Sequence, residues 1–158
     1  MAEFINTSQF QVFFQLLFAV FLGALVGLER EYKRKEAGLK TYALICLGAA
    51  LFTIVGLEMF KGFSGMVGIS FDPSTVIHAV AIGTGFIAGG VIIYRQFHIE
   101  GLTTAVGLWI VAAIGVAVGA GFYVTALFAA SLVLLVLSGF RSIEEKFLGT
   151  KKEENVNS

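Results

Sequence analysis

The stretch Glu29-Arg30-Glu31-Tyr32-Lys33-Arg34-Lys35-Glu36-Ala37-Gly38-Leu39-Lys40 separates two apolar runs and carries five of the chain's eleven lysines and arginines. Upstream of it lies an apolar run over 10–28; downstream lie runs over 41–60, 76–94, 102–120 and 122–140. Each approaches the ~20 residues that a helix needs to cross a bilayer's hydrocarbon core. Four more cations, Arg141, Lys146, Lys151 and Lys152, follow the fifth run. The third break holds Arg95, the second only Lys61, and the N-terminus and the turn at 119–122 hold none. Lysine and arginine beside spans stay on the cytoplasmic side. Five spans place ten of the eleven there, with the N-terminus outside and the C-terminus inside. Four or six spans would divide the two basic clusters between the two sides. The sequence therefore predicts an all-α, polytopic membrane bundle of five transmembrane helices over 1–148, with a short, charged, disordered tail at 149–158.

Composition supports a membrane chain. Hydrophobic residues make up 57% of it and charged ones 14%, against roughly a quarter charged in soluble domains. The formal net charge of zero says nothing about partners, because the basic residues segregate by side. The first run reads as a retained span and not a cleaved signal: Glu3 precedes it, its cations follow it, and no small-x-small site ends it. The single cysteine, Cys46, lies inside the second run and reads as a small core residue.

Nineteen glycines are costly in water-exposed helices, but in a bilayer small residues four apart let helices approach closely. Gly23 and Gly27 form such a pair in the first run. Ala81, Gly85 and Gly89 form a ridge in the third, and Gly115 and Gly119 a narrow face in the fourth. Ionisable groups at membrane depth are functional candidates, and here they gather at span ends. Glu29, Arg30 and Arg95 approach the cytoplasmic face from different helices, and Thr103 and Thr104 open the fourth span beside them. This cluster is the candidate site, with a set of depth anchors as its bland alternative. Near the outer ends, Glu58 and Asp72 are candidate ligands for a partly hydrated divalent cation. Asp72-Pro73-Ser74-Thr75 also reads as a helix start, with Asp72 as its cap.

Catalytic signatures are missing: no GxSxG, no HExxH, no Cys/His pair at ligand spacing and no phosphate loop. The expectation is no enzyme, no catalytic residue and no cofactor. Glu29, Glu31 and Glu36 interrupt the basic loop, which excludes nucleic acid as its natural partner.

The motifs Gly27-Leu28-Glu29-Arg30-Glu31, Ala37-Gly38-Leu39-Lys40-Thr41, Asp72-Pro73-Ser74, Gly83-Thr84-Gly85-Phe86-Ile87-Ala88-Gly89-Gly90, Gly101-Leu102-Thr103-Thr104-Ala105 and Trp109 together resemble the MgtC/SapB family of bacterial membrane proteins. The resemblance covers roughly 20–125. Two features depart from the family pattern: Thr75 stands where an arginine is usual, and the glycine-rich stretch more often reads GIGFLGAG, so that Thr84, Ala88 and Gly89 shift the packing ridge. The resemblance implies a cell-membrane protein linked to Mg²⁺ homeostasis, by transport or sensing, with Mg²⁺ as substrate or ligand. Its alternative is a non-transporting modulator that binds other membrane proteins through helix contacts. The partners expected are the lipid bilayer, a second copy of the chain in a homodimer, and another membrane protein.

Overall fold

In the computed structural model the apolar runs fold as helices α1 (Ala2–Tyr32), α2 (Leu39–Phe63), α3 (Ser74–Gly89), α4 (Leu102–Gly119) and α5 (Tyr123–Phe147). Between α3 and α4 lies an antiparallel hairpin of β1 (Ile93–Arg95) and β2 (His98–Glu100), with Tyr94 opposite Ile99. The structure describes residues 2–63, 72, 74–95 and 98–147. The expected tail at 149–158 and Pro73 lie outside the described residues.

Among the described residues three helices are long and apolar enough to cross a membrane, over Gln9–Tyr32, Leu39–Gly62 and Leu102–Gly119. The apolar helices over Ser74–Gly89 and Tyr123–Gly139 are shorter. The clearest departure from expectation is the third run, read as a span over 76–94. Its helix has 16 residues, about 24 Å at 1.5 Å per residue, against a hydrocarbon core of ~30 Å. Two glycines, Gly89 and Gly90, end it, and the β-branched Val91, Ile92 and Ile93 follow. Both features disfavour helix continuation. Gly90 N–H bonds back to Phe86 O and Ile87 O as the helix closes, and the β-branched residues pass into the hairpin.

Helix α4 is the centre of the bundle and packs against α1, α2, α3 and α5. Leu108, Val111, Ile114 and Val118 on it are fully buried or nearly so. Its two ends turn at left-handed glycines, Gly101 (φ 80°) before and Gly121 (φ 85°) after. Side-chain-bearing residues rarely adopt that conformation. At the α1–α2 seam, a Cβ on Gly23 would lie 2.7 Å from both Cys46 Cβ and Tyr42 O, and one on Gly27 would lie 2.7 Å from Leu39 Cα. At the α2–α4 seam, a Cβ on Gly115 would collide with Cys46 O and one on Gly119 would reach Ala50 O at 2.6 Å. Cys46 itself is fully buried between these two seams. Phe14, Phe18 and Tyr123 stack where α1 meets the start of α5, with ring centroids 5.7–6.0 Å apart. Large side chains such as Phe10, Leu17, Ile82, Phe86 and Phe128 face outward, as lipid-facing positions require.

Candidate functional site

The helices run so that one end of the bundle collects the α1–α2 loop, the C-terminal turn of α1 and the first turn of α4. Arg30 ends α1 on the face that carries Gly23 and Gly27, and packing of that face leaves it only 3% exposed. Glu29 lies 3.5 Å from it and also contacts Lys33 one turn on. These are charge contacts without aligned hydrogen bonds, so both Glu29 oxygens and Arg30 Nε keep unused hydrogen-bonding capacity among the described residues. Lys33 Nζ donates to Leu137 O at 3.1 Å and ties this end to α5.

Thr104, 1% exposed, is the second anchor. Its hydroxyl donates to Glu36 Oε2 at 2.5 Å, and its carbonyl accepts from Tyr42 Oη at 3.2 Å. One residue thus joins the α1–α2 loop, α2 and α4. The Glu36 carboxyl is held below the usual glutamate range, first by the Thr104 hydroxyl and a bond within its own backbone, then by the charges of Lys35 and Arg30. In the same loop Glu31 accepts from Leu39 N–H at 3.1 Å at the start of α2. Thr104, Glu36 and Tyr42 form a charge-assisted polar network that holds three elements in register.

The opposite end is open. A cavity of about 530 Å³ lies among α1, α2 and the α4–α5 turn, lined in part by Gln9, Gln11, Gln15, Glu58, Lys61 and Gly119. Gln15 is 5% exposed, and its Nε2 donates to Val118 O and Gly119 O at 3.3 and 3.2 Å. It thereby serves the last carbonyls of α4, which have no partner within their own helix. At the rim, Lys61 Nζ and Glu58 Oε1 pair at 2.7 Å, both well exposed.

Of the residues read from sequence, Glu29, Arg30 and Thr104 gather at the basic end. Thr103 is exposed and turned away. Arg95 is paired through its backbone with His98 in the hairpin, and its side chain lies outside the described residues. Gly23, Gly27, Gly115 and Gly119 lie in the close seams. Gly85 and Gly89 face open space and Ala81 is half-buried; the face that α3 buries is Val80, Thr84 and Ala88, one residue behind the expected ridge.

Asp72 caps α3: its carboxylate accepts from Ser74 N–H at 2.8 Å and from the Ser74 hydroxyl at 2.7 Å, and these bonds lower its pKa. Glu58 is engaged by Lys61 and lines a cavity that Asp72 does not. Among the described residues no three His, Cys, Asp or Glu gather as a metal-ligand group. Sequence reading missed Glu36, Tyr42 and Gln15. Gln15 carried a signal, a lone amide inside an apolar run, where a polar side chain acts as interhelical glue.

The sequence pattern of the MgtC family matches residues 16–146. The YhiD protein of Escherichia coli (strain K12), which carries the provisional name of magnesium transporter, is 37% identical over 137 residues, 87% of this chain and 63% of YhiD. SapB of Bacillus subtilis (strain 168) is 38% identical over 128 residues, 80% of this chain and 54% of SapB. MgtC of Brucella abortus (strain 2308) is 36% identical over 118 residues, 75% of this chain and 46% of MgtC. The chain thus spans less than two thirds of the length of each of these relatives. No solved structure matches it.

Proposed function

The chain belongs to the MgtC family, and on that premise we propose that it is a cell-membrane protein of Mg²⁺ homeostasis that takes the cation into the cavity opposite its basic end. The positive-inside rule assigns the basic loop at 29–40 to the cytoplasm, which turns the cavity outward. The observation that carries the reading is that cavity: it is open, amide-lined and edged by one carboxylate, Glu58. Mg²⁺ dehydrates reluctantly and is typically held through one or two carboxylates while keeping several waters. The lining offers a hydrated ion one carboxylate, Glu58, beside Lys61, together with the side-chain amides of Gln9, Gln11 and Gln15. The name carried by YhiD points the same way.

The seams beneath the cavity are shut, since Gly115 and Gly119 press α4 against the α2 backbone. Conduction therefore requires α2 and α4 to separate, whereas sensing does not. Purified protein in liposomes holding a Mg²⁺-sensitive dye tests the reading. Uptake above protein-free liposomes that falls in Glu58→Gln supports transport, and saturable Mg²⁺ binding without uptake supports sensing. Neither uptake nor binding would reject the proposal.

A second reading, modulation of another membrane protein, draws on a groove of about 830 Å³ between α2 and α3. Its walls are almost wholly apolar, and Gly48 and Gly83 on them face open space. Small, unfilled positions of this kind admit a neighbouring helix. The outward ridge of Gly85 and Gly89 is proposed as the contact between two copies in a homodimer.

A further inference from the structure

We propose that the β1–β2 hairpin is a lipid-interface element. It lies in the headgroup layer of the cytoplasmic leaflet with Tyr94 and Ile99 turned into the lipid, and it covers the depth that α3 is too short to span. The proposal takes α3 as a membrane crossing and is independent of any ion in the outer cavity. Helix α3 has 16 residues, so its ~24 Å leaves about 6 Å of a ~30 Å hydrocarbon core uncovered. The chain does not cross that gap as irregular backbone, which lipid does not tolerate. It folds instead into a two-stranded sheet whose strands have three residues each. Such a sheet keeps two open edges of N–H and C=O groups, which require water or headgroup partners. The hairpin therefore belongs at the polar boundary and not in the core.

Its side chains divide by face. Tyr94 and Ile99 are partners across the ladder, as are Ile93 and Glu100. Partners share a face and successive residues alternate, so one face carries the Tyr94–Ile99 pair and the other carries Glu100. Tyr94 is 69% exposed and Ile99 61%. A two-stranded hairpin is marginal in water, and an apolar surface to lie on supplies what it lacks. A tyrosine ring, apolar in its body and polar at its tip, collects at membrane–water boundaries. Just before the hairpin α3 exposes Ile82, Phe86 and Ile87, so the pair follows directly on lipid-facing helix. The base of the hairpin is fixed: Gly101 has φ 80°, and a Cβ on it would strike the Val91 carbonyl. The Gly101 carbonyl accepts from Ala105 N–H at 2.8 Å as α4 begins. The hairpin is thereby tied to the first turn of the central helix, at the basic end.

The test uses the full chain in phosphatidylcholine vesicles whose acyl chains carry bromine, a contact quencher of tryptophan, either near the glycerol or near the terminal methyl. Trp109, the chain's one tryptophan, is half-exposed on α4. It lies seven residues past Leu102, ~10 Å deeper, and serves in the wild type as the deep reference. In a Trp109→Phe background the reporters are Tyr94→Trp and, separately, Ile99→Trp; both positions are exposed, so neither change disturbs packing. Each reporter should be quenched more by bromine near the glycerol than by bromine near the methyl, and its ratio of shallow to deep quenching should exceed that of Trp109. Quenching by aqueous iodide and by neither lipid would place the hairpin in water and overturn the proposal. Strongest quenching near the methyl would place it in the core, which also overturns it. Protection from iodide and from both lipids would show that protein, a second copy or another chain, covers this face in place of lipid, and would reject the proposal as well.

Discussion

The Thr104 hydroxyl donates to the Glu36 carboxylate at 2.5 Å across 68 residues of sequence, and through this contact the α1–α2 loop is latched to the first turn of α4. Thr104 is buried while Glu36 is exposed, so the bond is reached by water from one side only. That asymmetry makes it a pH-dependent latch. A carboxyl whose folded pKa is lowered contributes stability that is full above the unfolded value, near 4.5, and is lost as pH falls through the folded value. Tm should fall between about pH 5 and pH 3, and Thr104→Val should lose the Glu36 part of that dependence. Because Glu36 is exposed, its charge adds no more than about 1 kcal/mol. A Thr104→Val protein with the wild-type pH profile would reject the latch.

Gly115 and Gly85 both lie on helices of this bundle, yet they should respond oppositely to alanine. A Cβ at 115 runs into the Cys46 carbonyl, a backbone atom, while one at 85 meets nothing within 4 Å. Gly115→Ala should cost about 1–3 kcal/mol through overpacking. Gly85→Ala should be neutral or should gain a few tenths of a kcal/mol from helix propensity. Thermal melts in one mild detergent compare the two.

Glu29→Gln keeps shape and removes the counter-charge shared by Arg30 and Lys33. With Arg30 only 3% exposed, the loss should be about 3 kcal/mol, the low end for a buried ion pair that loses one partner. Depth anchors alone would tolerate the change. Retained stability together with retained function would place Glu29 among the anchors.

If Gly85 and Gly89 join two copies, Gly85→Leu should shift the detergent-solubilised particle toward monomer without lowering its Tm, because that face is empty within one chain. A wild-type particle that is monomeric across mild detergents would exclude the dimer.

Topology is checked by cysteine labelling. Ser8→Cys should react with an impermeant reagent from outside and Ser158→Cys only after permeabilisation; Cys46, fully buried, stays silent. Equal labelling from outside would reject an outer N-terminus and an inner C-terminus.

Hydropathy and charge, read along the chain, determined the helical membrane character, and the motifs from Gly27-Leu28-Glu29-Arg30-Glu31 to Trp109 carried the family resemblance. The bilayer's thickness and the cost of charge within it act on local sequence. The basic stretch at 29–40 was enough to mark one end of the bundle, and the small-residue spacing at 23/27 and 115/119 marked positions that close seams use. Which backbone each glycine meets was not legible, because that depends on helices far apart in sequence: Gly115 on Cys46, Gly27 on Leu39. Hydropathy also overran α3, since Ile92, Ile93 and Tyr94 are as apolar in a hairpin as in a span. The tertiary structure alone decided that Thr104, and not Thr103, completes the basic-end network, and that Gln15 serves the end of α4. It alone paired Glu58 with Lys61, whereas the cap role of Asp72 at α3 was already legible in Asp72-Pro73-Ser74-Thr75 and is borne out by its bonds to Ser74. Hydrogen bonds and ion pairs are won by distance and direction, and those are set only when the helices have packed.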